Sequence, residues 1–222
     1  MKELGHNKII KTNAAILFKP YGIKRKGQSR FFIDDHGWYT IGIEFQPSKS
    51  GNGTYLNIGV NFNWNIQGHF SYDIGGRNFV DIGNGKQQFF EYINDMQFIE
   101  VINKLCDFSV KIINEYRNNL KNINTAKKTI KKNKYHGNSL WGNYHRGIVS
   151  GLIGNTNSLN NYFNELLKIP DNNIEWIKTL KKQVEELKIL GNESIEEFIS
   201  KIKEIIIETR RLKKLEAIEI II

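Results

Sequence analysis

Asp34, Asp35 and His36 stand together at the start of a predicted strand that ends in Glu44 and Gln46. Carboxylates at the two ends of one strand could hold Mg²⁺ beside a scissile phosphate, which is the chemistry of a metal-dependent nuclease. Two residues after Glu44, where such a site would use a lysine, the sequence has Gln46. An Asp-Asp-His-Gly run also suits a tight turn, because an Asp side chain accepts backbone N–H groups two residues on. No phosphate-binding glycine loop, dinucleotide fingerprint, paired-cysteine zinc site or His-Glu-x-x-His motif occurs. His145 has no assignable Ser or Cys nucleophile and reads as structural, and Cys106, the one cysteine, lies in an apolar helical pattern as core filler. No catalytic residue, metal ligand or cofactor is assigned, so the nuclease is only a third reading.

Amides form the second group. If residues 38–46 and 56–64 are strands, Thr40, Glu44, Gln46, Asn57, Asn61 and Asn63 project to one side of the sheet, with Trp38 at its end. Amide groups both donate and accept, so Trp38, Glu44, Gln46, Asn57, Asn61 and Asn63 make a candidate protein-binding face. The plainer explanation is a solvated sheet face in an Asn-rich chain.

The third group is basic. The chain of 222 residues has 32 Lys and Arg against 23 Asp and Glu, a net charge of +9. Positive charge is concentrated in residues 1–33 and 101–150, whereas 34–100 is net negative. Lys127, Lys128, Lys131, Lys132 and Lys134 could track a phosphate backbone while Tyr135 or Trp141 stacks on a base. Ile, Asn and Lys, with 34, 27 and 25 copies, all have AT-rich codons, and Arg, the better phosphate fork, has seven. Part of the basic excess is then compositional background, and a solvated linker explains the same run.

These residues need elements to hold them. Ile9, Ile10, Ala14, Ile16 and Leu17 have helical spacing, and Pro20-Tyr21-Gly22 ends that helix. Tyr39, Ile41, Ile43 and Phe45, then Leu56, Ile58, Val60, Phe62 and Trp64, alternate with polar or small residues across the turn-forming 47–53. That predicts an antiparallel hairpin with one buried face, extended by short strands near 68–72, 77–82 and 87–92. Beyond Asn94 the period becomes helical: a long helix over 95–119, an amphipathic helix containing Trp141 to Leu152, and another capped at Asn155 or Thr156. A further helix follows Pro170 and stops at Gly191, and Ser194 to Glu197 reads as the capping box of the last one.

The first helix with Gly22-Ile23-Lys24-Arg25-Lys26-Gly27, the aromatic start Phe31-Phe32, Gln46 with Ser48 close behind, and Leu56-Asn57-Ile58-Gly59-Val60 resemble bacterial domain-of-unknown-function family 4304. His145-Arg146-Gly147 through Gly151-Leu152-Ile153-Gly154-Asn155 looks like that family's C-terminal part, so the resemblance spans two-thirds of the chain. It implies an α+β fold and no activity.

The expected architecture is α+β: residues 1–120 as a helix, a twisted antiparallel sheet and a long helix, 121–138 as a Lys-rich linker, and 139–222 as a helical region. No apolar run spans a bilayer and no export signal is read at the N-terminus, so a cytoplasmic protein without membrane association is expected. The leading functional expectation is a non-enzymatic protein-interaction module, an accessory or immunity-type component of a bacterial conflict or phage-defence system. The C-terminal helix ending in Ile220-Ile221-Ile222 would meet a partner or a second copy, giving a homodimer. The alternative is a nucleic-acid-associated protein using the Lys-rich segment.

Overall fold

The computed structural model describes residues 5–133 and 139–222. Its fold is α+β. The chain divides into two compact units, one made of residues 1–62 and 70–117, the other of 63–69 and 118–222.

The first unit is built on a sheet. Strands β1 (Lys24–Arg25), β2 (Phe31–Asp35), β3 (Tyr39–Pro47), β4 (Gly53–Phe62) and β5 (Ile74–Arg77) lie in that order, all antiparallel. Strands β6 (Val80–Asp81) and β7 (Lys86–Gln87) make a small separate hairpin, and β8 (Phe89–Glu91) pairs with the start of β4. The register Ile43↔Ile58 and Ile41↔Val60 puts Phe32, Ile41, Ile43, Phe45, Leu56, Ile58, Val60 and Phe62 on one face, all buried. Alternation of period two makes this face continuous, and burying its Ile, Leu and Phe side chains is worth about 1.5–3 kcal/mol each.

The N-terminal segment is helical from α1 (Gly5–Ile9) through a π-helical turn at Ile10–Ala14 to α2 (Ala15–Phe18). It delivers Phe18 onto the apolar face, with ring centroids 5.1 Å from Phe32 and 6.4 Å from Phe45. The long helix α3 (Asp95–Asn119) buries Phe98, Val101, Ile102, Leu105, Cys106 and Ile113. The helix is where the periodicity expects it, but of the expected apolar stripe Ile99, Ile102, Leu105, Phe108, Ile112 and Tyr116 only Ile102 and Leu105 are buried, Ile99 is exposed, and the core face is rotated toward Phe98, Val101 and Ile113. Burial pushes the Cys106 thiol well above its ordinary range, so it is core and not a thiolate nucleophile.

The strand expected near 68–72 does not form. Residues 63–69 belong to the second unit, and the chain returns through Ser71, Tyr72 and Asp73 before pairing as β5. Tyr72 lies over Gly42 and Gly59, which face each other across β3 and β4. A Cβ on Gly59 would collide with the Tyr72 ring and stand 2.6 Å from the Ile74 carbonyl oxygen, so the ring's approach requires glycine there. Gly59→Ala is expected to lower stability by about 1–3 kcal/mol, the usual cost of overpacking, as measured by urea unfolding.

The second unit is helical: α4 (Ile123–Lys132), α5 (Ser139–Leu152), α6 (Thr156–Lys168), α7 (Glu175–Glu193) and α8 (Ile195–Leu212). Gly147 and Gly151 let α5 approach its neighbours closely. A Cβ on Gly147 would strike the Phe163 ring of α6, and one on Gly151 the Phe198 ring of α8. Helix α7 does not stop at Gly191 but runs on to Glu193, because Gly191 packs against Leu159 with no room for a Cβ. At the start of α8 the Ser194 hydroxyl accepts the Glu197 N–H at 3.3 Å. Helix α8 ends at Leu212, and 213–222 is neither helix nor strand, so no C-terminal helix ends in Ile220-Ile221-Ile222.

Residues 63–65 make a buried turn in this unit, a plug whose continuation at 66, 68 and 69 is exposed. The buried Trp64 indole donates to His145 Nδ1 at 3.0 Å, and the Tyr144 hydroxyl donates to the Trp64 carbonyl at 2.7 Å. Thr209 Oγ1 donates to the Asn65 carbonyl at 3.3 Å, and Lys213 Nζ to Asn63 Oδ1 at 3.1 Å. His145 is fully buried and accepts at Nδ1, which places its proton on Nε2, so it holds the plug.

Candidate anion-binding site

Each of the three sequence-derived groups takes a different place. In the acidic group, the Asp34 carboxylate is buried and receives Arg117 Nε at 2.9 Å, Arg117 Nη2 at 2.8 Å and His36 Nε2 at 2.8 Å. Arg117 also donates to the Tyr21 carbonyl at 2.7 Å, so one guanidinium ties β2, α3 and the end of the N-terminal segment together. Burial alone would raise the Asp34 pKa; the hydrogen bonds and charges of His36 and Arg117 outweigh it and hold the carboxyl below its ordinary value. Asp35 accepts Gly37 N–H at 3.1 Å in a turn, and Glu44 accepts the Asn57 amide at 2.8 Å. Among the described residues no three His, Cys, Asp or Glu side chains are grouped to hold a metal. The nuclease reading is corrected on that ground: Asp34 points to the apolar face, whereas Asp35 and Glu44 point to the other.

The amide face is not an open recognition surface either. Asn57 Nδ2 donates to Glu44 at 2.8 Å and to Gln46 at 2.9 Å, while its Oδ1 accepts Arg77 Nε at 3.0 Å. The Arg77 guanidinium also bonds Gln46 and lies 3.9 Å from the Tyr55 ring centroid. Asn61 donates to Ser71 at 3.2 Å and to Asp73 at 3.1 Å. Asn63 is in the second unit against Lys213, and Trp38 is buried, its ring parallel to Phe62 on the apolar side. Buried amides need partners, and these have them within the fold. Trp38, Asn57, Asn61 and Asn63 are thus inside the protein, and only Glu44 and Gln46 of that set reach solvent in part.

In the lysine group, Lys127 and Lys131 have no charge partner among the described residues. The expectation of a linker over 121–138 is corrected for its first part, because Ile123–Lys132 is helix α4. Asn122 caps it: its side chain accepts the Thr125 N–H at 2.9 Å, and Thr125 Oγ1 accepts the Asn122 N–H at 3.3 Å. Ile123, Ala126 and Ile130 form its buried stripe, which leaves the lysines on the remaining circumference. Lys134 and Tyr135 lie outside the described residues.

Lys127 and Lys131, one turn apart, line a cavity of about 120 Å³ with Arg146 and Ser150 of α5 and Ser158 and Tyr162 of α6. Lys131 is exposed, so the cavity reaches the surface, and Ser150 is buried within it. Arg146 is anchored by a 3.2 Å bond from Nη2 to the Asn133 carbonyl at the end of α4. Neither Lys127 nor Lys131 has a hydrogen-bond or ion-pair partner among the described residues. Between Glu115 and Glu165 the sequence has no Asp or Glu and eight Lys or Arg. The pairs Lys127/Lys131 and Lys128/Lys132 repel at i,i+4, each costing about 0.2–0.5 kcal/mol. The helix dipole offsets part of this at the C-terminal end of α4, but adds nothing for Arg146, which lies on another helix. Two partnerless lysines beside Arg146 and hydroxyl donors form a site complementary to an anion.

Trp141 is not a free stacking platform: its ring lies parallel to Trp176 at 5.7 Å on one contact and to His145 at 6.1 Å on another. Arg146, Ser150, Ser158 and Tyr162 were not among the expected site residues. The signal that could have found Arg146 was the acid-free interval, which extends well past the lysines.

Comparison with family models, curated proteins and solved structures returns no match. The site therefore has to be interpreted from its own chemistry.

Proposed function

We propose that this protein binds nucleic acid through the α4–α6 surface, with the lysines of α4 on the phosphate backbone. The observation that supports this best is the convergence of Lys127, Lys131 and Arg146 on one hydroxyl-lined cavity, within a stretch free of acidic residues. Lys128 and Lys132, both exposed, extend the positive surface along the same helix. A polyanion with repeated charges suits such a row better than a single small anion does. A membrane surface fits less well, because a helix that binds lipid inserts an apolar face, and the Ile123, Ala126 and Ile130 face of α4 is buried in the fold. Lysines on phosphates carry no sequence information, so binding is sequence-independent. Fluorescence anisotropy at 50 mM salt or below should show an oligonucleotide of arbitrary sequence bound, and a scrambled sequence bound within about twofold of it. No binding under those conditions, or strong preference for one sequence, contradicts the proposal.

The protein-partner reading keeps one specific observation in its favour. Arg77 stacked on Tyr55, with the Phe89 ring 5.1 Å from Tyr55, puts an Arg–aromatic group at the β4–β5–β8 edge, the composition of interface hot spots. If a protein partner is found, Arg77→Ala is expected to weaken it; an unchanged affinity would remove this edge as the contact.

A further inference from the structure

The size of the α4–α6 cavity restricts what part of a nucleic acid can enter it. Its volume is about 120 Å³, room for a small group such as a phosphate. Pockets that enclose whole small molecules run to about 300–1,000 Å³, so a nucleoside would have to remain outside. A phosphodiester within a chain carries one charge and a sugar on both sides. A phosphomonoester at a chain end carries between about 1.5 and 2 negative charges at neutral pH, three terminal oxygens, and a substituent on one side only. The cavity supplies three cations, Lys127, Lys131 and Arg146, and three hydroxyls, Ser150, Ser158 and Tyr162. The two partnerless lysines alone carry more charge than one diester balances.

Resting on the nucleic-acid reading, we infer that the cavity holds the terminal phosphate of a nucleic-acid strand. The Lys127 and Lys131 side chains balance the monoester dianion, the hydroxyls donate to its oxygens, and Lys128 and Lys132 meet the diesters that follow.

The test uses the full chain and one oligonucleotide sequence in three forms, with a 5′-phosphate, with a 3′-phosphate, and with hydroxyls at both ends, compared by anisotropy. At least one phosphorylated form should bind ten or more times tighter than the hydroxyl form. Lys127→Gln should reduce that ratio to within about twofold, whereas Lys128→Gln should weaken all three forms by a common factor. Inorganic phosphate and a nucleoside 5′-monophosphate, added as competitors, distinguish a strand end from free phosphate. The inference expects the preference to persist until either is in large excess over the oligonucleotide. Loss of the preference at competitor concentrations comparable to the protein would assign the cavity to a free small phosphate and overturn it. Equal binding of all three forms also overturns the terminal-phosphate inference while leaving the nucleic-acid reading intact. No binding of any form overturns both.

Discussion

Asp34→Ala is expected to destabilise the protein by about 3 kcal/mol, through the loss of a buried ion pair in the sheet unit. Removing one partner of a buried ion pair typically costs about 3–5 kcal/mol, because the remaining charge stays desolvated. The lower end applies here, since the Arg117 side chain keeps 28% of its exposure while that of Asp34 keeps 6%. Arg117 would retain its bond to the Tyr21 carbonyl but lose both carboxylate contacts, and His36 would lose its acceptor. Urea unfolding of Asp34→Ala, Arg117→Ala and the double variant should give a coupling energy above about 1 kcal/mol, because the two residues touch. The pH dependence has a fixed sign. The Asp34 pKa is lowered in the folded protein, so its contribution is fully present above the ordinary carboxylate pKa and is lost as pH falls through its lower folded value. The stability gap between wild type and Asp34→Asn should therefore be flat from neutral pH down to about pH 5 and shrink in more acidic solution. A gap that widened in acid would mean that Asp34 is not held as the anion.

On the binding side the largest effect is expected from reversing the two cavity lysines together. Lys127→Glu with Lys131→Glu replaces two cations by two anions facing Arg146, and should raise the Kd for an oligonucleotide by about a hundredfold, or tenfold per site. Because neither lysine has a partner within the described residues, the fold should tolerate the change. Lys127→Gln with Lys131→Gln is the control: it removes the i,i+4 repulsion, and should keep the unfolding midpoint while still weakening binding. Loss of binding together with loss of helical signal would show only that the unit had unfolded; the glutamine pair separates that outcome from the predicted one.

The sequence made some of these arrangements legible and hid others. Alternation in 39–45 and 56–64 defines the hairpin, and helical spacing over 95–119 defines the length of α3, because both patterns are local and repeat several times; apolar residues all round α3 left its buried face misassigned, since Phe98, Val101 and Ile113 are buried while Ile99 is exposed. The same alternation says which side Asn57 and Asn61 take but not what covers them. Their partners, Arg77, Ser71 and Asp73, arrive from the return segment 70–77, which has no alternating pattern of its own. Gly42 and Gly59 were the readable hint, since glycines facing one another in otherwise β-branched and aromatic strands mark a close approach. The Asp34–Arg117 pair joins residues 83 apart and left no local trace. Helix α4 was hidden by composition: its Lys and Asn content reads as solvated linker, although Asn122-x-x-Thr125 and the spacing of Ile123, Ala126 and Ile130 already describe a capped amphipathic helix. Segment-wise net charge shows the basic excess over 101–150, whereas the acid-free interval from 116 to 164 is the finer pattern that reaches Arg146.

The central claim is that the lysines of α4 engage a phosphate backbone, and its most direct test is the salt dependence of oligonucleotide binding. Each phosphate neutralised on a single strand contributes about −0.7 to the slope of log K against log salt. With three to five of Lys127, Lys128, Lys131, Lys132 and Arg146 engaged, the slope should lie between about −2 and −3.5, and should become shallower by about one or more in the Lys127→Gln, Lys131→Gln pair. A slope near zero, or one that the glutamine pair leaves unchanged, would contradict the assignment of this surface to nucleic acid.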